Sequence, residues 1–203
     1  MTRSLEEGLD IPILETERLR LRAFRRSDID DYAALNADPE VTRYLGGGGT
    51  WDRCRSWRHL AFLLGHWQLG GSGMWAMEQR GTGEFVGMVG FADPDGWPGF
   101  ELGWTLVRRF WGHGYATEGA QAALAYAFTA LNKSHVISLI HPENLASIRV
   151  AERLGECLEG RTGVKEQERL LYGIERKTAA AQVGSRSSAV PNRSVGQQFG
   201  CPP

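Results

Sequence analysis

The chain has no apolar run of the ~18 to 20 residues that a membrane span needs, and its start shows no basic stretch leading into an apolar core. Neither a membrane partner nor a secretory signal is therefore expected. Cysteine is scarce. Cys54, Cys157 and Cys201 form no C-x-x-C pair and, being three, cannot all pair within one chain, which suits free thiols in a reducing, cytoplasmic setting. His59, His66, His113, His135 and His141 show no H-E-x-x-H or other ligand spacing, so no metal is expected. An excess of charge of either sign is also missing. The net charge is -1 and the arginines are dispersed, which argues against a nucleic-acid footprint. Arg18, Arg20 and Arg22 alternate with Leu19 and Leu21, and a solvated edge face explains them better than a binding stripe. No internal repeat is evident.

What is present describes one domain. Apolar residues make up 42% and charged residues 23% of the chain, and about 165 ordered residues can bury roughly 70% of the surface of their unfolded chain. Residues 1–10 are polar without periodicity. Residues 178–203 are rich in Ala, Ser, Gly, Gln and Pro, with one aromatic, Phe199, and no acidic residue. Both ends are expected to lack fixed structure, which leaves a domain at 11–177.

Within it, the patterning predicts a strand near 18–24, short helices near 28–36 and 38–45, and a helix near 51–69. Strands near 73–80, 84–92 and 100–107 read as an antiparallel meander, joined by Gly81-Thr-Gly83 and by a turn-rich segment from Asp93 to Gly99. A helix at 114–131, a strand at 135–141, a helix at 144–154 and strands near 157–163 and 168–176 follow. Trp57, Leu60, Leu64 and Trp67 fall at helical spacing and read as a packing face. Gly46 to Gly49 is either an ordinary linker or a mobile lip of a pocket.

Arg109-Phe-Trp-Gly112-His-Gly114-Tyr-Ala116 stands between a strand pattern and a helix pattern. Two glycines let backbone approach an anion, and a helix start offers unpaired N–H groups at the positive end of a dipole. Glycine spacing alone is weak evidence here, because 26 of 203 residues are Gly. Two phosphate-binding classes fail on their required residues. A P-loop needs Lys-Ser or Lys-Thr where Tyr115 and Ala116 stand. A dinucleotide turn needs Gly or Ala where Thr117 stands, and an acidic residue where His141 and Pro142 stand.

Arg-x-x-Gly-x-Gly-x-Ala after a strand resembles the acyl-CoA pyrophosphate turn of the GNAT superfamily of N-acetyltransferases. Thr16-Glu-Arg-Leu-Arg-Leu-Arg22 is similar to the first strand of the group that includes the ribosomal-protein N-terminal acetyltransferases. Gly114-Tyr-Ala-Thr-Glu118-Gly resembles that group's helix start, with Gly119 in place of its usual Ala. Asn144-Leu-Ala-Ser147 resembles its Asn-x-x-Ser helix. The likeness runs from about Ile13 to Lys177 and departs from the pattern at His141-Pro142 and at Glu156-Cys157, where an aromatic is usual.

This resemblance implies an α+β fold, a single mixed, mostly antiparallel twisted sheet of about seven strands flanked by helices. It implies acetyl-CoA as co-substrate and an amine acceptor, a protein N-terminus or a small molecule, with homodimers common among relatives. The pantetheine arm would lie along the strand ending near Leu106, facing backbone N–H groups at Thr105, Leu106 and Val107, an oxyanion-type arrangement. The pyrophosphate would meet Gly112, His113, Gly114, Tyr115, Ala116 and Thr117, with Arg109 adding charge. Asn144 would contact the arm and Ser147 would lie near the sulfur. Their plainer readings are a helix N-cap and a first-turn polar residue. Glu101 is the best candidate base for the attacking amine, against the plainer reading of a solvated strand-end Glu. Glu78 and Asp93 are weaker candidates. The acetyltransferase reading stands beside a non-catalytic acyl-CoA sensor and acetylation of aminoglycosides, polyamines or amino acids.

Overall fold

The computed structural model describes residues 10–46, 49–164 and 167–176. The expectations for the two chain ends and for Gly47 and Gly48 fall outside these residues, save for Asp10. One eight-stranded sheet organises the rest, in the order β1-β2-β3-β4-β5-β6-β8-β7. Its strands are β1 (Leu14–Glu15), β2 (Leu19–Arg22), β3 (Met74–Gln79), β4 (Phe85–Ala92), β5 (Glu101–Leu106), β6 (His135–Ile140), β7 (Cys157–Val164) and β8 (Gln167–Glu175). Seven of them match the expected strands. The eighth, β1, has two residues, too few for any alternation to register, and it pairs Leu14 with Leu21 and Glu15 with Arg20.

Every neighbouring pair is antiparallel except β5 and β6. Those two meet in a single parallel pair, Glu101 with Ile137, and part beyond it. This opening, on the side toward Leu106, is the main departure from a continuous sheet.

Helices cover both faces, which is why β4 is buried at every position from Phe85 to Phe91. On one face, α1 (Ile29–Ala37) and α3 (Arg53–Gly70) pack Ile29, Tyr32, Leu35, Leu60 and Leu63 against Ala76, Phe85 and Met88. The other face takes α4 (Tyr115–Thr129) and α5 (Leu145–Leu154). There Ala120, Ala123, Leu124, Ala127, Val150 and Leu154 meet Trp75, Met77, Val86, Val89, Phe91 and Leu102. A short helix, α2 (Pro39–Thr42), links α1 to the glycine run. Gly119 has a packing reason: a Cβ there would stand 3.0 Å from Met77 Cε.

Three expectations need correction. The stripe on α3 packs at Leu60, Leu64 and Trp67, but Trp57 is 57% exposed. The Arg18-Arg20-Arg22 face is no solvated edge at Arg22, which is buried between Asp28 and Glu78 with N–O contacts of 2.7 Å to each. Cys54 is an exposed free thiol, whereas Cys157 is disulfide-bonded. No helix among the described residues is long and apolar enough to cross a membrane.

Candidate active site

A cleft of about 1270 Å³ opens where β5 and β6 part and runs to the start of α4. Its walls come from Trp104, Thr105 and Leu106 of β5, the turn from Phe110 to Thr117, and Glu143 to Val150 around the start of α5. Glu17, Arg18, Glu118, Gln121, Arg153 and residues between Glu40 and Leu45 also line it. The glycine run therefore leaves directly from a wall of the cleft.

Left-handed backbone shapes the turn. Gly112 has φ 79° and Gly114 φ 83°, values that a side chain disfavours. Gly114 caps α4, and its carbonyl receives the first intrahelical bond from the Glu118 N–H at 3.0 Å. The N–H groups of Tyr115, Ala116 and Thr117 precede that bond, so they have no acceptor within the helix and stand at its positive end. This is an anion-binding concavity built from backbone.

The cation beside it is Arg18. Its guanidinium donates to the His113 carbonyl at 2.9 Å and lies over the Tyr115 ring at 4.6 Å. Arg109, the residue expected there, turns away. It stacks over Phe110, pairs with Glu84 at 3.3 Å and lines no part of the cleft. Arg18 was missed because its partners lie about a hundred residues along the chain. A signal did exist, since Arg18 and Glu118 both sit in stretches that carry the resemblance.

The strand amides also need reassignment. Val107 N–H donates to Val86 O at 2.9 Å, and in an antiparallel ladder the hydrogen-bonding direction alternates. With Met88 opposite Thr105, the Thr105 N–H also points to β4. The N–H groups that face the opening are those of Trp104 and Leu106. Of the three expected amides only that of Leu106 faces the opening, and that of Trp104 faces it too. Val107 does not line the cleft.

Asn144 and Ser147 both line the cleft. Asn144 is also the N-cap of α5, its Oδ1 accepting the Ser147 N–H at 3.1 Å. The plainer reading of Asn144, a helix N-cap, is the one observed, and capping uses only its oxygen.

Glu101 stands at the root of the opening and is no solvated strand-end residue. Burial pushes its carboxyl up to about 7, partly offset by the Trp97 indole, a Leu139 backbone N–H and the charge of Arg169. The Trp97 bond is 2.6 Å. Glu78 and Asp93 are engaged elsewhere. Glu78 is bonded to Arg22 at 2.7 Å, and Asp93 lies 3.3 Å from His66 and 4.0 Å from Lys133. None of the three, Glu101 included, is among the residues lining the cleft, but Glu101 alone stands at the β5–β6 parting.

A parted pair of parallel strands, with a backbone anion site beyond the tip of one of them, is the arrangement the sequence resemblance implied. The model of the acetyltransferase (GNAT) domain matches residues 18–156. The chain belongs to the GNAT acetyltransferase family. It is 33% identical to the uncharacterized N-acetyltransferase p20 of Bacillus licheniformis over 149 residues, 72% of this chain and 83% of that one. An acetyltransferase from Agrobacterium tumefaciens has a solved structure that superposes with a TM-score of 0.75 at 34% identity, covering 87% of this chain and all of the other. The fold is shared as well with RimL, a ribosomal L7/L12 α-N-protein acetyltransferase in complex with coenzyme A. That likeness has a TM-score of 0.68 at 19% identity and covers 81% of this chain and 98% of that one.

As a GNAT enzyme, the chain is an N-acetyltransferase that uses acetyl-CoA. The GNAT match spans β2, the glycine turn and the Asn144–Ser147 helix, and ends at Glu156.

Proposed function

We propose that the enzyme acetylates the α-amine of a protein N-terminus by direct attack on acetyl-CoA within a ternary complex. The observation that carries this reading is the continuous cleft from the Gly112–Thr117 turn to Trp104 on β5, with Glu101 behind its wall at the last β5–β6 pair. The pyrophosphate sits on the turn amides and beside Arg18. The pantetheine arm enters the opening, and the amides of Trp104 and Leu106 face the thioester oxygen, where negative charge grows during attack. Asn144 borders the arm. Ser147 donates toward the departing thiolate, which with a thiol pKa of about 8.5 leaves with little help.

Glu101 takes the amine proton through water. A carboxyl poised near neutrality suits this, being partly ionised at pH 7 and basic enough to accept. An α-amine, with a pKa of about 7.7–8.0, needs only such modest assistance, while a lysine near 10.4 is almost wholly protonated. The base and the acceptor are thus matched.

Small cationic acceptors such as aminoglycosides would need free acidic groups near the glycine run. Asp38 caps α2 and pairs with Arg108 at 3.1 Å, and Asp52 caps α3. Glu40 is left on the cleft wall. The deciding experiment combines acetyl-CoA calorimetry with thiol release against peptides, aminoglycosides, polyamines and amino acids. Release with peptides supports the proposal. Release only with small amines overturns the acceptor, and binding without release against any amine identifies a sensor.

A further inference from the structure

Beyond the Glu101–Ile137 pair, the next rung of a parallel ladder would join the Leu139 N–H to the Leu102 carbonyl. The preceding rung, Ile137 N–H to Phe100 O at 3.0 Å, is present. At the next one, a side chain takes the acceptor: the Leu102 carbonyl accepts from Ser138 Oγ at 2.9 Å. A strand separation normally leaves unpaired backbone groups, which are costly when buried. Here β6 lends the Ser138 side chain to the backbone of β5, and the separation starts at that point, beside the Glu101 carboxyl, which burial raises and the Leu139 N–H partly lowers.

Behind Ser138 stands Glu156, the first departure from the family's usual aromatic. It is 3% exposed, and its Oε1 is 3.0 Å from Ser138 Oγ. Its Oε2 is buried without a partner among the described residues. Ser138 carries one hydroxyl proton but has two oxygens within 3.0 Å. If that proton goes to Leu102, the second contact needs a hydrogen from Glu156 itself, which only the neutral acid carries. An ionised Glu156 would compete for the Ser138 proton and release the Leu102 carbonyl. Burial of the half-partnered Glu156 carboxyl favours the neutral form and pushes it up to about 7; the Ser138 hydrogen bond works against this, and the charges of Glu159 and Glu101 add to it.

We propose that Ser138 and neutral Glu156 form a wedge that keeps the β5–β6 opening available to the pantetheine arm, which makes Glu156 a positioning residue for acyl-CoA. The wedge rests on the reading of that opening as the arm's site. Without it, the Leu102 carbonyl loses the Ser138 hydroxyl and competes with the Glu101 carboxyl for the Leu139 N–H. The sheet then closes by one rung toward Trp104 and Leu106, whose amides face the arm.

The test compares two probes by calorimetry: CoA, and 3′-phosphoadenosine 5′-diphosphate, which is CoA without its pantetheine arm. Ser138→Ala and Glu156→Leu should weaken CoA by about tenfold, the scale of one buried hydrogen bond. Both should bind the armless nucleotide as wild type does. Ser138→Thr keeps the hydroxyl and Glu156→Gln keeps a neutral donor, and both should restore CoA affinity to within about threefold. Where either truncated variant fails to fold, Ser138→Cys, a similar shape with a weaker donor, should show a smaller loss confined to CoA. Unchanged CoA affinity in the truncated variants overturns the wedge, and so does an equal loss for both probes. Wild type that binds neither probe overturns the site reading itself and the wedge with it.

Discussion

Arg18 holds Glu118 with three donors, its backbone N–H at 2.9 Å, its Nε at 2.7 Å and a terminal guanidinium nitrogen at 2.6 Å. Thr16 adds its hydroxyl at 2.6 Å. Burial alone would raise the Glu118 carboxyl, but these bonds outweigh it and hold the group below its usual value. The start of β2 is thereby pinned to the first turn of α4, and the Arg18 guanidinium is fixed beside the phosphate turn.

This arrangement reverses the ranking of the two arginines. Arg18→Ala should weaken acetyl-CoA by about five- to tenfold, the range of one charge-assisted bond to phosphate. Arg109→Ala should stay within about twofold, since its exposed pairing with Glu84 carries little. Calorimetry on the two variants checks this, and the opposite order would return the phosphate role to Arg109.

The glycines of the turn make a sharper case. Gly112→Glu or Gly114→Glu should abolish acetyl-CoA binding, because each places a carboxylate where the anion is received. Gly114→Ala isolates the backbone component. At φ 83° it should cost about 1 kcal/mol of stability. Thermal melts paired with calorimetry separate the two effects.

Glu101 sets a pH limb. Only its ionised form accepts a proton, so kcat/KM for a peptide amine should rise with pH through about 7. Glu101→Gln should lower kcat by roughly a hundredfold and remove that limb. Persistence of the limb in the variant would assign it to another group, the acceptor amine included.

Stability should move the other way. Burial raises Glu101 and Glu156 from a reference of 4.5 to about 7 in the folded chain. Between those values the native state binds more protons than the unfolded one, so stability falls as pH rises. The contribution is complete below about 4.5 and lost above about 7. Melting temperatures from pH 5 to 8 should therefore decline, and Glu156→Gln, which cannot ionise, should flatten the decline. A variant with the same slope as wild type would show that Glu156 does not titrate in this window.

Local patterns were enough to read most of the architecture. Alternation located seven strands, helical spacing and caps located α1, α3, α4 and α5, and the glycines marked the turn as one where backbone can approach an anion, all properties of a residue and its near neighbours. The GNAT resemblance was legible for the same reason, being carried by short stretches in order. Destinations of long side chains were not legible. Arg109 and Arg18 are equally good phosphate ligands as residue types, and the choice fell to Glu84 and Glu118, which draw them in opposite directions. The direction of each β5 amide depends on the register with β4, and a shift of one residue exchanges Thr105 and Val107 for Trp104 and Leu106. Glu101 could have been a solvated strand end, but Trp97 and the parting of β6 enclose it. Conformation is written into the chain locally, whereas charge pairing, burial and the facing of backbone groups arise only when distant segments meet.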